Sequence, residues 1–142
     1  MQRLRIAALI LATGALGALA DTVPTGRDLV FKSASEFEWK PSTNLPPGAE
    51  YQLVREDPVT RGVQVIVRFP SGYSVAPHAH DADETLVVLK GKLWLKAEGK
   101  ERTLGPADYA AIPSGVQHQL AVKGWGSCWA LATTSGPYNV RK

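Results

Sequence analysis

Apolar and polar residues alternate with a period of two along much of this chain, which is the pattern of β-strands that bury one face. In "GVQVIVRF" (62–69), valines and a phenylalanine occupy the odd positions, while Gln64 and Arg68 lie among the even positions. "ETLVVLKGKLWLKAEG" predicts two further strands, joined as a hairpin at Lys90 and Gly91. These runs are shorter than ordinary helices, so they predict strands.

Further segments of the same kind follow, each ended by a glycine, a proline or a polar pair: "KERTLG", "DYAAIP", "HQLAVKG" and "SCWALATT". Short strands at regular intervals are typical of a β-sandwich or a β-barrel. The one helix signal is a capping-box pattern from Ser33 to Glu36, and Pro41 ends that segment, so at most a short turn is predicted. We find no repeat and no second domain, so residues 21–142 are predicted to form a single all-β domain.

The first twenty residues have the layout of a secretory signal peptide. The positive segment "MQRLR" precedes the apolar run "IAALILATGALGAL", and Ala18-Leu19-Ala20 forms an A-x-A cleavage site before Asp21. The alternative is a membrane anchor, but the run is shorter than the roughly 20 residues that a spanning helix needs. We therefore expect cleavage, export to the periplasm or the medium, and no stable membrane insertion.

Charge and cysteine content exclude other classes of function. The chain carries a formal net charge of +3, and loss of Arg3 and Arg5 with the leader would leave 14 basic residues against 13 acidic ones. A balance this close to neutral predicts no electrostatic footprint for nucleic acid or for an anionic membrane. Cys128 is the only cysteine, so no intramolecular disulfide can form, and its small apolar neighbours predict a buried, inert thiol.

Candidate chemistry is concentrated in "PHAHDADE", which contains two of the three histidines of the chain. Side chains two residues apart share a face of an extended strand, so His78 and His80 are expected to point the same way. Glu84 has the same parity and is expected to share that face if the strand has no bulge, whereas Asp81 and Asp83 are expected to face away. Two imidazoles and a carboxylate suit a borderline transition metal, and the alternative is a set of histidines satisfied by hydrogen bonds alone.

The spacing of these residues resembles the first motif of the cupin family, G-x5-H-x-H-x3/4-E-x6-G. The segment 72–91 fits this motif without a gap. The segment 107–122 resembles the second motif, G-x5-P-x-G-x2-H-x3-N, through Pro113, Gly115 and His118.

Two residues depart from the second motif: Ala107 replaces its opening glycine and Val122 replaces its closing asparagine. We interpret both as structural turn positions. The flanking pieces "LPPGAE", "REDP" and "FPSGY" also resemble small cupins that are related to the sensor domain of zinc-binding anti-sigma factors.

The resemblance implies a single-domain jelly-roll β-barrel of two antiparallel sheets. It also implies that residues matching the family's ligands, His78, His80, Glu84 and His118, bind one divalent metal inside the barrel. Members of the family are often dimers through their sheets, so the resemblance allows a homodimer.

Three functions stay open at this stage. Four protein ligands leave open positions in an octahedral site, as in cupin enzymes, but none in a closed tetrahedral one. The first function is therefore a metal-dependent enzyme of the dioxygenase, isomerase or lyase type, acting on a small organic substrate. The second is a non-catalytic periplasmic module that captures or senses a small ligand, and the third is a metal-free scaffold. Export favours zinc or copper over iron, manganese or nickel.

The strands near the motifs are largely apolar, which predicts a small hydrophobic pocket. Side chains that could serve a substrate there are Gln64, Arg68, Tyr73, Trp94, Tyr109 and Trp129. Each is of a type found more often in a core, an interface or a solvated strand face, so none is taken as catalytic.

Overall fold

Short antiparallel strands are the main secondary structure of the computed structural model, which describes residues 24–25 and 27–142. The predicted leader lies outside these residues. The strands are β1 (Lys40–Pro41), β2 (Glu50–Glu56), β3 (Val63–Phe69), β4 (Ser74–His78), β5 (Glu84–Lys90), β6 (Lys92–Ala97), β7 (Lys100–Leu104), β8 (Tyr109–Ile112), β9 (His118–Lys123) and β10 (Cys128–Thr134).

The described residues contain one turn of 3₁₀ helix, Ala34–Glu36. Ser33 and Glu36 form the predicted capping box, in which the Ser33 backbone N–H donates to Glu36 Oε2 at 2.6 Å. The prediction of a short turn is confirmed. Within the described ranges, no helix has the length and apolar character needed to cross a membrane.

The strands form two antiparallel sheets, which confirms the predicted all-β fold. One sheet has the order β1-β2-β3-β10-β5-β8, and the other has the order β4-β9-β6-β7. The distribution of β3 to β10 between them is consistent with a double-sheet jelly roll. No ladder joins the two sheets among the described strands, so backbone pairing does not close the expected barrel. The sheets face each other through side chains instead, as in a sandwich.

Side chains at alternate strand positions meet between the sheets and form the hydrophobic core. In β10, Cys128, Ala130 and Ala132 are buried, whereas the residues between them are only half-buried. Val88 and Leu93, which come from different sheets, are completely buried. Burial raises the pKa of the Cys128 thiol to about 11, which confirms the prediction of a buried, inert cysteine.

The predicted hairpin at Lys90 and Gly91 is wrong. β5 pairs with β8 and β10, whereas β6 pairs with β7 and β9 in the other sheet. Gly91 turns the chain from one sheet to the other with a φ of +80°. A Cβ atom there would lie 2.7 Å from the Ser127 carbonyl oxygen, so this corner requires glycine.

The outer face of the six-stranded sheet carries an aromatic cluster. The ring centroid of Trp39 lies 5.0 Å from that of Trp129 and 5.6 Å from that of Phe37. The Arg68 guanidinium lies 4.3 Å from the centroid of the Trp39 ring and forms a 2.5 Å ion pair with Glu50. We refer to Phe37, Trp39, Arg68 and Trp129 as the outer aromatic cluster.

Candidate metal centre

The four predicted ligands come from three strands and one loop. His78 is the last residue of β4, and His118 is the first residue of β9. These strands pair, and their register sets His78 opposite His118. His80 lies two residues beyond β4, and Glu84 is the first residue of β5. The candidate centre therefore lies where the chain crosses from one sheet to the other.

Glu84 meets the histidines by a different route from the one that strand parity suggests. β4 ends at His78, and residues 79–83 carry the chain across to the six-stranded sheet. The expectation that Glu84 shares one strand face with His78 and His80 is therefore wrong, because Glu84 approaches them across the gap between the sheets. The expectation that Asp81 and Asp83 face away from the ligands is confirmed, since both are exposed while Glu84 is buried.

Hydrogen bonds join this crossing segment to the turn before β9. Asp83 Oδ1 accepts from the Ser114 backbone N–H at 2.8 Å, and the Ser114 hydroxyl donates to the Asp81 carbonyl at 2.8 Å. The Gly115 backbone N–H donates to the His80 carbonyl at 2.8 Å. The two motifs are therefore tied together at the residues beside the candidate ligands.

The three imidazoles and the carboxylate are buried and close together. His78, His80 and His118 are 2–3% exposed, and Glu84 is 5% exposed. One ring nitrogen from each histidine lies within 4.8 Å of the other two. Glu84 Oε2 lies 3.4 Å from Nε2 of His80 and 3.4 Å from Nε2 of His118. The structure thus brings all four predicted side chains to one small volume.

Backbone carbonyls fix the orientation of each ring. Nδ1 of His78 and Nδ1 of His118 each donate to the carbonyl two residues earlier, at 2.9 and 3.0 Å. Nδ1 of His80 donates to the carbonyl of Asn139, in the C-terminal segment. This bonding assigns the proton of each neutral ring to Nδ1 and leaves a lone pair on Nε2.

Two of these lone pairs lack a partner, and this provides a test of whether the residues fit a metal. Nε2 of His80 and Nε2 of His118 are buried, and neither forms a hydrogen bond with any residue in the described part of the chain. Buried polar atoms without partners are costly, and such atoms call for an unseen ligand. Imidazole nitrogens and a carboxylate oxygen are suitable donors for a divalent transition metal, so the residues fit one.

The electrostatics of the cluster favour an ionised carboxylate. Burial lowers the pKa of His78, and its backbone hydrogen bond opposes this only in part. Burial also acts against protonation of His80, but Glu84 and the Asn139 carbonyl outweigh it and raise the pKa of His80. Burial alone would raise the pKa of Glu84, but the imidazoles of His118 and His80 hold that pKa at about 2. Glu84 is therefore charged at neutral pH, as metal ligation requires.

A cavity of about 230 Å³ lies beside the cluster, and His78 and Glu84 form part of its wall. Most of the wall consists of aliphatic and aromatic side chains from β2, β3, β5, β9 and β10. Further polar groups come from the side chains of Ser42, Thr43, Asn44, Tyr51, Glu56 and Tyr138. The small hydrophobic pocket predicted from the sequence is therefore present.

Tyr138 and Asn139 are parts of the site that the sequence did not reveal. The Tyr138 ring centroid lies 5.0 Å from that of His80, and Tyr138 lines the cavity. Burial raises the pKa of Tyr138, and the charge of Glu84 raises it further, so the phenol is neutral and can donate a hydrogen bond. Both residues lie beyond the two motifs in "GPYNVRK", which has no strand periodicity that could have placed them.

None of the six pocket candidates from the sequence lines this cavity. Arg68 and Trp129 belong to the outer aromatic cluster, and Tyr109 is 70% exposed. Tyr73 is buried in the core and donates its hydroxyl to the Pro46 carbonyl at 2.6 Å.

The two departures from the second motif differ in structural role. Ala107 has a φ of +71°, in the left-handed region that favours glycine, so it does occupy a turn position. Val122 lies inside β9, is 7% exposed and donates its backbone N–H to the Tyr73 carbonyl. The interpretation of Val122 as a turn residue is therefore wrong, since it is part of the core.

The family model described as "Cupin domain" matches residues 65–132. Among solved structures, KdgF from Halomonas sp. is 23% identical with a TM-score of 0.63, over 76% of this chain and 94% of that chain. A predicted oxalate decarboxylase from Thermotoga maritima is 20% identical with a TM-score of 0.66, over 75% of this chain and 98% of that chain. The polyketide cyclase RemF from Streptomyces resistomycificus is 17% identical with a TM-score of 0.67, over 81% of this chain and 85% of that chain. No curated protein matches the chain. Similarity at these identities shows a common fold.

Proposed function

Because this chain belongs to the cupin superfamily, we propose that His78, His80, Glu84 and His118 bind one divalent transition metal. The observation that carries the proposal is the pair of buried Nε2 atoms, on His80 and His118, beside an ionised carboxylate. A cation would satisfy both lone pairs and the negative charge together. The carbonyls that hold each Nδ1 support this reading, since protein ligands of metals are commonly oriented in that way.

The metal centre would serve an enzyme that acts on a small organic molecule. A bound divalent metal would supply Lewis-acid polarisation or oxygen activation. Support comes from the cavity of about 230 Å³, whose wall includes His78 and Glu84 and is otherwise mainly apolar. Such a cavity suits a small ligand with an apolar body. Reactions of the dioxygenase, isomerase or lyase type fall within this class.

The residues of the chain have separable roles in this function. The aliphatic wall excludes water from a bound molecule. Tyr138 offers a neutral phenol beside the centre, and it can donate a hydrogen bond to a polar group of the substrate. Glu56 lines the same cavity, but its carboxylate is held by Arg61 at 2.7 Å, which favours a binding role over that of a free base.

Replacement of Glu84 tests the ligand set. The wild-type protein should bind about one Zn²⁺ per chain, and Glu84→Gln should weaken binding roughly 10- to 100-fold because the charged donor is lost. Glu101→Gln, at an exposed position of β7, is the matched control and should bind as the wild type does. Isothermal titration of the metal-free proteins measures both. Unaltered binding by Glu84→Gln would show that the ligand set is wrong.

The second candidate function is a metal-containing module that captures a small ligand without turning it over. Among the described residues that line it, the cavity offers no carboxylate that is free to act as a base, since Glu56 is paired with Arg61 and Glu84 belongs to the candidate ligands, and this favours the alternative. Titration of Co²⁺-loaded protein with azide separates a reactive centre from a closed one. A shift in the visible spectrum would show an open coordination position and support the enzyme. A spectrum that does not respond, together with a lower melting temperature after metal removal, would favour a structural site.

The compartment in which the protein folds determines which metals are available to it. We propose, from the leader pattern alone, that cleavage before Asp21 produces an exported protein that acquires zinc or copper. N-terminal sequencing of protein from the native host should begin at Asp21. Elemental analysis of the same sample should find zinc or copper, and stoichiometric iron or manganese would reverse the order of preference.

A further inference from the structure

His80 is held differently from the other two histidines. The rings of His78 and His118 are oriented by carbonyls of their own neighbourhood, only two residues away in sequence. The acceptor for His80 Nδ1 is the carbonyl of Asn139, 59 residues away. His80 also lies outside any strand, since β4 ends two residues before it. The orientation of this ring therefore depends on a distant part of the chain.

Residues 138–141, which we call the C-terminal strap, are pinned on both sides of His80. On one side, the backbones of Ala79 and Arg141 exchange hydrogen bonds of 2.9 and 2.8 Å. On the other side, the Asp81 backbone N–H donates to Asn139 Oδ1 at 2.9 Å.

The Asp81 carboxylate is the anchor of the strap. It accepts a hydrogen bond from Asn139 Nδ2 and forms a 2.8 Å ion pair with Arg141. Asp81 and Arg141 are each about half-exposed, so this anchor lies at the surface while His80 is buried. The anchor therefore fixes the Asn139 carbonyl from outside the core.

We propose that the C-terminal strap is a positioning element for the metal ligand His80, and this rests on the proposed metal-binding function. The strap supplies the acceptor that sets the Nδ1–H tautomer of His80, and the Tyr138 ring covers the imidazole. Loss of the strap leaves His80 free to rotate, while His78, Glu84 and His118 keep their supports. The metal site then has three fixed ligands and one loose ligand.

Two variants test the strap, and both are measured for Zn²⁺ affinity and for the visible spectrum of the Co²⁺-loaded protein. The chain truncated after Gly136 should lose affinity up to about 100-fold, and Asp81→Ala should lose about 10-fold, because groups that orient metal ligands are worth this much. Both should shift the Co²⁺ bands. Asp108→Ala is the matched control, because Asp108 Oδ2 accepts from the Gly105 backbone N–H in a turn away from the strap.

Wild-type affinity and an unshifted Co²⁺ spectrum in Asp81→Ala and in a folded truncated chain would overturn the proposal. If the truncated chain does not fold, Asp81→Ala decides alone, since it alters only a half-exposed side chain. The Zn²⁺ affinity of Glu84→Gln distinguishes a failure of the strap proposal from a failure of the proposed metal-binding function. Weak binding by Glu84→Gln with normal binding by the strap variants rejects the strap only. A wild-type protein that binds no metal rejects the metal site itself.

Discussion

The candidate metal centre and the outer aromatic cluster both include residues of the six-stranded sheet, but they are built in opposite ways. The centre gathers ionisable groups in the interior, and two of its nitrogens, on His80 and His118, lack hydrogen bonds among the described residues. The outer cluster consists of large rings in edge-to-face and tilted contacts. The cluster also leaves one buried donor, Trp129 Nε1, without a hydrogen bond among the described residues. This is the only buried polar side-chain atom of the cluster without such a bond there.

The difference between the regions separates stability from function. Aromatic contacts and apolar burial stabilise a fold directly. Buried lone pairs beside a carboxylate act against stability until something binds them. We therefore expect changes in the outer aromatic cluster to alter the free energy of unfolding, and changes in the centre to alter metal affinity. Four measurements test this separation.

Replacement of His118 by alanine should have the largest effect. Removal of one of four donors should weaken Zn²⁺ binding by about 100-fold or more, which corresponds to roughly 3 kcal/mol. Competition with a chromophoric chelator measures the affinity. Gln119→Ala, at the next position of β9, should bind normally. Equal Zn²⁺ affinities for the wild type and His118→Ala would show that His118 is not a metal ligand.

Removal of the metal should have the next largest effect on the wild type. At a free Zn²⁺ concentration of about 100 times Kd, bound metal adds about 2.7 kcal/mol to the free energy of unfolding. Chelation should therefore lower the melting temperature by roughly 10 °C. Scanning calorimetry with and without chelator measures the change, and the His118→Ala protein should show almost none. A chelator effect of equal size in that variant would mean that the stabilising metal binds elsewhere.

Replacement of Trp129 by alanine should lower stability and leave the centre intact. Trp129 is half-buried, so the loss should be about 2 kcal/mol, below the range for a fully buried tryptophan. Urea denaturation of the metal-free protein measures it. The Zn²⁺ affinity of the folded variant should equal that of the wild type. A parallel fall in affinity would show that the two regions are coupled through the sheet.

Replacement of Arg68 by methionine should have the smallest effect. Methionine keeps much of the apolar contact with Trp39 but removes the cation over the ring and the ion pair with Glu50. The expected loss is about 0.5–1 kcal/mol, and high salt should reduce it. Urea denaturation at low and at high ionic strength measures the loss of stability and its dependence on salt. Arg102→Met, at an exposed position, is the control. A loss that does not change with salt would assign the effect to packing alone.

The local patterns of the sequence predicted the strands better than their partners. The alternation in β3 predicted a strand with one buried face, and the structure buries Val67 and Phe69 on that face, since side chains in a strand alternate between faces whatever the strand pairs with. The same alternation could not show that β5 and β6 belong to different sheets. That depends on the close approach of Gly91 to Ser127, which are 36 residues apart in sequence.

The spacing of the motifs identified four side chains that do meet, because spacing records which positions a fold brings together. The spacing did not show that Glu84 belongs to a different sheet from His78, since a one-dimensional pattern does not show where β4 ends. It gave no indication of Tyr138 or Asn139, which carry no periodic pattern and reach His80 only through the folded chain.

What the sequence alone determined is the class of fold, the resemblance to cupins and the identity of the four candidate ligands, because these depend on residue types at fixed spacings. Only the tertiary structure decided the sheet of each strand, the tautomer of each imidazole and the contact between the C-terminal strap and His80. These features come from contacts between residues far apart in the chain. The energies of such contacts depend on distance in space, which no local pattern of residues records.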